Sequence, residues 1–218
     1  CFFPISFFKM QASNDESDVV FTTRSIYYIQ MDKNIKILMQ DFNGPCLLIA
    51  IVNALILQGK ITLRENKYTL SSIVHILQNY RNELPELDGL IYGFDINPCF
   101  NDCSNFKDYP TFLNTLNLKM VHSIVCDPKL QIYQDVSNFD YDSFQIKLVE
   151  MESDSKDNNS IPKKDSLREW DESVKKQTTK YGIKNIQSTL SENEVAIYFR
   201  ANHFSVITKH NGKVFCLL

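Results

Sequence analysis

The period of apolar and polar residues changes along the chain, and those changes mark out its elements. Residues 21–39 are rich in β-branched and aromatic side chains, as in Ser25-Ile26-Tyr27-Tyr28-Ile29-Gln30 and Ile35-Lys36-Ile37-Leu38. The polar Asp32-Lys33-Asn34 divides them, which predicts a hairpin or two edge strands. Residues 46–57 are apolar on nearly every side, interrupted by Asn53, and the run stops at Gly59. That predicts a buried helix with Pro45 or Cys46 in its first turn. In residues 69–80, Leu70, Ile73, Val74, Ile76, Leu77 and Tyr80 recur at helical spacing. An amphipathic helix is expected there, capped by Thr69 or Ser71 and packed on the buried one.

Further on, residues 91–96 read as a strand, 109–116 as a short helix, 119–125 as a strand and 139–151 as a helix. Residues 152–164 are polar and mixed in charge, the composition of a surface loop rather than of a domain boundary. Residues 167–180 suit a helix with Trp170 and Val174 on one face. The tail, 195–200 and 204–208, then the turn Asn211-Gly212 and 214–218, predicts an antiparallel meander. No internal repeat is visible. The pattern is that of an α+β protein, one domain over residues 21–218 with a loosely ordered extension at 1–20.

The 218 residues, 44% hydrophobic and 12% aromatic, suffice for one core. With 23 Lys+Arg against 26 Asp+Glu the net charge is −3, which excludes the basic footprint of a nucleic-acid binder. Six Gly, seven Pro and no uncharged apolar run of membrane-spanning length exclude collagen-like, low-complexity and transmembrane classes. Six cysteines are sparse for this length and favour a reducing compartment, cytosol or nucleus. The start has no Met and no basic region before its short apolar run, so it reads as a segment of a longer protein rather than a signal peptide. Cys216-Leu217-Leu218 is one residue short of a prenylation box.

The most informative stretch is Gln40-Asp41-Phe42-Asn43-Gly44-Pro45-Cys46, directly before the apolar helix. A thiol at a helix N-terminus feels the positive end of the macrodipole, which favours the thiolate nucleophile. Gln40, six residues upstream, is an amide donor across a tight turn, where an oxyanion partner is wanted beside the backbone N–H of Cys46. A thiolate also needs an imidazole to take and return its proton. His203 stands at the start of a late strand, in the Cys-early, His-late order of papain-type enzymes. His75 lies on a helix face, His122 in a strand and His210 in a hairpin turn. Each residue alone has a blander reading: a small core cysteine, a solvated glutamine, a hydrogen-bonded structural imidazole.

The run from Gln40 through Cys46-Leu47-Leu48-Ile49-Ala50 resembles the catalytic-cysteine segment of the MINDY deubiquitinases, a family of cysteine peptidases. So does Tyr198-Phe199-Arg200-Ala201-Asn202-His203-Phe204-Ser205-Val206-Ile207-Thr208-Lys209. Weaker likeness joins them in His122-Ser123-Ile124-Val125-Cys126-Asp127-Pro128, in Tyr181-Gly182-Ile183 and in Leu190-Ser191-Glu192. The resemblance implies a papain-like fold, a buried catalytic helix packed on an antiparallel sheet. It further implies hydrolysis of isopeptide bonds in polyubiquitin, with a preference for long lysine-forty-eight-linked chains. By motif matching Cys46 is the nucleophile, His203 the general base and acid, and Gln40 the oxyanion donor, with Asn43 and Ser205 in support. No cofactor is implied, and the partner is polyubiquitin, met by a monomer. Two departures stand out: Asp41-Phe42 puts an aromatic into the nucleophile turn, and residues 152–164 have no recognisable family counterpart.

Cys99, Cys103, His122 and Cys126 offer four N/S ligands, but positions 122 and 126 in a strand lie too far apart for easy chelation of zinc. The aromatic start, Phe2-Phe3 and Phe7-Phe8, is shorter than an interfacial helix. Two other functions use the same residues: an inactive ubiquitin-binding module, and a papain-like hydrolase of another amide.

Overall fold

The computed structural model describes residues 19–40, 45–81, 90, 94–153 and 161–217, which fall into two compact units, Cys1–Phe94 and Asp95–Leu218. In the first, β1 (Val20–Tyr28) lies between β2 (Lys33–Leu38) and β3 (Lys67–Thr69), antiparallel to both. The expected hairpin is there, closed by a 3-10 turn at Ile29–Met31 and by Asp32, whose φ of 50° is a left-handed state that Asp tolerates. Val20, assigned to the extension by sequence, pairs with Thr69, and the carbonyl of Val19 accepts from the Leu70 N–H at 2.9 Å. The rest of the expected extension, 1–18, lies outside the described residues.

The buried helix is α1 (Cys46–Leu57), and all eleven residues from Leu47 to Leu57 are buried. Its polar interruption has a structural cause. Asn53 Oδ1 accepts from the Leu38 N–H at 2.8 Å and its Nδ2 donates to the Leu38 carbonyl at 2.9 Å. One amide thus satisfies both backbone groups at the end of β2 and fastens the helix to the sheet. The amphipathic helix is α2 (Leu70–Tyr80), capped by Thr69, whose Oγ accepts from the Ser72 N–H, with Leu70, Ile73 and Leu77 buried.

The second unit is built on a four-stranded sheet in the order β6 (Lys119–His122), β7 (Val195–Arg200), β8 (His203–His210), β9 (Lys213–Leu217). The expected meander is β7 to β9; β6 joins it in parallel, so this sheet is mixed. Parallel neighbours need a long crossover, and among the described residues it holds the helices α3 (Tyr133–Val136), α4 (Tyr141–Ser153), α5 (Ile161–Val174) and α6 (Lys180–Thr189). One core gathers Phe100, Phe144, Leu167, Trp170 and Val174, with Phe100 edge-on to both Phe144 and Trp170. Another joins Val121 and Val125 to Ile186 of α6, to Leu190 at its C-cap, and to Ala196 and Ile207 of the sheet.

Several elements depart from the sequence reading. The strand expected at 91–96 is absent over 94–96, 91–93 being outside the described residues; a two-residue strand β4 (Asn97–Pro98) pairs instead with β5 (Phe106–Asp108). The short helix near 109–116 is one 3-10 turn, Thr111–Asn114. Both ends of the expected polar loop are helical, in α4 and α5, and 154–160 lie outside the described residues. The helix expected to run to residue 180 stops at Val174, Gln177 turns left-handed at φ 50°, and a separate helix starts at Thr179, whose Oγ caps the Gly182 N–H at 2.8 Å. Among the described residues no helix is long and apolar enough to cross a membrane.

Candidate active site

In the first unit Cys46 stands at the head of the buried helix α1 and Gln40 just past β2. Pro45, with φ −70°, leads into α1, and the first helical hydrogen bond is that of the Ile49 N–H to the Pro45 carbonyl at 3.1 Å. The N–H groups of Cys46, Leu47 and Leu48 therefore lie ahead of the helix's own ladder, where they favour negative charge. No acidic side chain stands in that first turn to oppose it. Cys46 is a free, half-buried thiol, the one residue of α1 that reaches the surface. Gln40 follows β2, exposed, two residues past the Leu38 that Asn53 holds. Asn43 lies in 41–44, outside the described residues.

In the second unit His203 opens β8 opposite Arg200 and is exposed. The strands β7 and β8 are joined by only two residues, Ala201 and Asn202, with φ of 51° and 56°. Two left-handed central residues make the mirror-image type I turn, whose twist matches that of a hairpin. Ser205, half-buried, shares a face with His203 because side chains alternate along a strand. It lies opposite Tyr198, and Cys216 Sγ is 3.6 Å from its Oγ. Tyr198 in turn places its hydroxyl 2.6 Å from the buried Ser123 Oγ.

The other histidines are occupied differently. His122 is fully buried; its Nδ1 accepts from the Ile124 N–H at 3.2 Å and its Nε2 donates to the Asn105 carbonyl at 3.1 Å. Burial pushes the imidazole down to about 4, so it stays neutral with both nitrogens in use. His75 is exposed on α2, and His210 lies beside Asn193 and Asn211 at the far end of β8. The buried thiols are equally unsuited to attack. Burial raises Cys103, which donates to Thr189 Oγ1, and Cys126, which packs with Phe100 and Phe144, each to about 11. Among the described residues no three His, Cys, Asp or Glu side chains gather to hold a metal. Cys99 instead pairs with Asp140 through the backbone.

The thiol and the amide belong to one unit, the imidazole and the hydroxyl to the other. As a class, this is a mixed α and β protein with a free cysteine heading a buried helix and a histidine heading a late antiparallel strand. Within it the chain belongs to the MINDY deubiquitinase family, whose model matches residues 19–218. It is similar to ubiquitin carboxyl-terminal hydrolase MINDY-1 of Bos taurus, 27% identical over 208 residues, covering 84% of this chain and 44% of the relative. It is also similar to ubiquitin carboxyl-terminal hydrolase MINDY-2 of Homo sapiens, 27% identical with 91% of this chain and 37% of the relative covered. For MINDY-1 of Danio rerio the figures are 26%, 86% and 41%. The chain thus spans less than half the length of these relatives.

Proposed function

We propose that this chain carries the catalytic centre of a cysteine-dependent deubiquitinase with a papain-like fold, hydrolysing the isopeptide bonds of polyubiquitin. The observation that carries the reading is the position of Cys46, a half-buried free thiol at the head of a helix whose other residues are all buried. A fixed nucleophile beside backbone N–H groups that lie ahead of the helix's own hydrogen bonds is what acyl transfer requires.

His203 takes the thiol proton, and the thiolate attacks the carbonyl carbon of the isopeptide bond. The oxygen of the tetrahedral intermediate receives hydrogen bonds from the Gln40 amide and the Cys46 N–H. His203 returns the proton to the departing lysine amine, leaving a thioester between Cys46 and the ubiquitin C-terminus. Water, deprotonated by the same imidazole, then hydrolyses it and restores the thiol. Asn43, three residues before Cys46 in the sequence, and Ser205 on the face of His203 support the centre. Long lysine-forty-eight-linked chains are the preferred substrate in this reading, met by a monomer in the cytoplasm or nucleus, where thiols stay reduced.

The test is release of monoubiquitin from linkage-defined chains by the wild-type chain and by Cys46→Ala and His203→Ala. Binding of chains without cleavage by the wild type would instead make this an inactive ubiquitin-binding module.

A further inference from the structure

Seven non-glycine residues have positive φ among the described residues: Asp32, Asn117, Gln177, Asn193, Ala201, Asn202 and Asn211. Five are Asp or Asn, whose short polar side chains make this state tolerable. The two that are not, Gln177 at φ 50° and Ala201 at φ 51°, are hydrogen-bonded to each other. The Ala201 N–H donates to Gln177 Oε1 at 2.6 Å. Unfavourable backbone persists only where its surroundings over-determine it, and it concentrates at functional sites. Ala201 lies two residues before His203.

We infer that Gln177 is a positioning residue for His203, holding the strained β7–β8 turn so that the imidazole is presented in one place. The inference rests on the reading of His203 as the catalytic base. The support is continuous from the sheet to the turn. Ser123, at the end of β6, accepts from the Thr179 N–H through its carbonyl at 2.9 Å and pairs with Thr178. Its Oγ donates toward the Gln177 carbonyl at 3.3 Å. The segment that carries Gln177 is therefore fixed to β6. From it, the Gln177 side chain takes the Ala201 N–H, and the neighbouring Lys176 carbonyl takes Arg200 Nε at 3.2 Å. Arg200 is the cross-strand partner of His203. Arg200, at the end of β7, and Ala201, the first residue of the turn, are thus tied to one segment. Without the amide, the left-handed residue Ala201 loses the side-chain hydrogen bond that offsets its cost, and the Arg200–His203 pair opens more readily.

Steady-state cleavage of lysine-forty-eight-linked tetraubiquitin by the full chain tests this, with melting temperature recorded for each variant. Gln177→Ala should lower kcat about ten- to a hundredfold, the cost typical of a misplaced catalytic group, with KM unchanged. Gln177→Glu keeps an acceptor oxygen and should stay within about twofold of wild type. Adding Ala201→Gly to Gln177→Ala should recover most of the lost kcat, because glycine adopts positive φ without cost. Should Gln177→Ala melt far below wild type, Gln177→Asn, whose shorter amide falls short of Ala201, should show the same fall per folded molecule. Wild-type kcat in Gln177→Ala or Gln177→Asn, or a rise in KM alone, with His203→Ala inactive, overturns the positioning role and leaves His203 as base. An active His203→Ala overturns the base itself, and the positioning role with it.

Discussion

Acidifying the protein from pH 7 to pH 5 should destabilise its second unit through His122. The folded state keeps this imidazole neutral down to about 4, because it is fully buried with both nitrogens engaged by backbone groups. In the unfolded chain the same ring titrates near its ordinary value of about 6.5. Between those values the unfolded state binds a proton that the folded state does not, so stability falls as pH falls. The contribution is present above pH about 6.5 and is lost progressively toward pH 4. A gap of roughly 2.5 pH units corresponds to about 3 kcal/mol in full, of which about 2 kcal/mol is gone by pH 5. Urea unfolding followed by the fluorescence of Trp170, the only tryptophan of the chain and part of the second unit's core, reads this directly. The control is His122→Gln, which keeps an N–H for the Asn105 carbonyl but cannot titrate. Its stability should change about 2 kcal/mol less than wild type over the same interval. Equal losses in the two proteins, or a His122 resonance that titrates near 6.5, would refute the argument.

Other substitutions probe the packing and the site. Gly182 lies in α6 so close to β6 that a Cβ there would sit 2.1 Å from the Ser123 carbonyl oxygen. Gly182→Ala should cost at least about 1–3 kcal/mol by overpacking, and an unchanged Trp170 unfolding midpoint would contradict that contact. Asn53→Leu should destabilise the first unit by about 2–4 kcal/mol, since it leaves the Leu38 N–H and carbonyl buried without partners. Faster amide hydrogen exchange at Leu38 would register it, and wild-type protection would refute it. Gln40→Ala should slow single-turnover cleavage by on the order of 10² to 10³ with chain affinity retained. Weakened affinity with unchanged turnover would remove Gln40 from the oxyanion role.

How much of this was legible in the sequence depended on whether the decisive interactions were local. The helix α1 is apolar on all sides, and β7 to β9 alternate and turn at Asn211-Gly212, so both were readable from neighbours within a few residues. What fastens them was not. The bond between Asn53 and Leu38, and the parallel pairing of residues 119–122 with 196–199, join positions far apart in the chain and leave no periodic trace. The helix α6 escaped notice because Gly182 lowers its helical propensity, although Thr179 followed by Ile183, Ile186 and Leu190 was a cap and an apolar stripe in plain view. The positions of Cys46 at the head of a helix and of His203 at the head of a strand were readable because both are set by local pattern. The turn before His203 was not, since Ala-Asn lacks the glycine that usually announces two left-handed residues, and its support comes from Gln177, outside the hairpin.

The central claim is that the thiol of Cys46 attacks the bond between ubiquitins. The most direct measurement is incubation of the wild-type chain and Cys46→Ala with linkage-defined polyubiquitin, following monoubiquitin release. Truncating one half-buried thiol costs little packing, so the variant should fold and still bind chains. Wild type should release monoubiquitin, most readily from long lysine-forty-eight-linked chains, and Cys46→Ala should release none. Cleavage by Cys46→Ala near the wild-type rate would contradict the account.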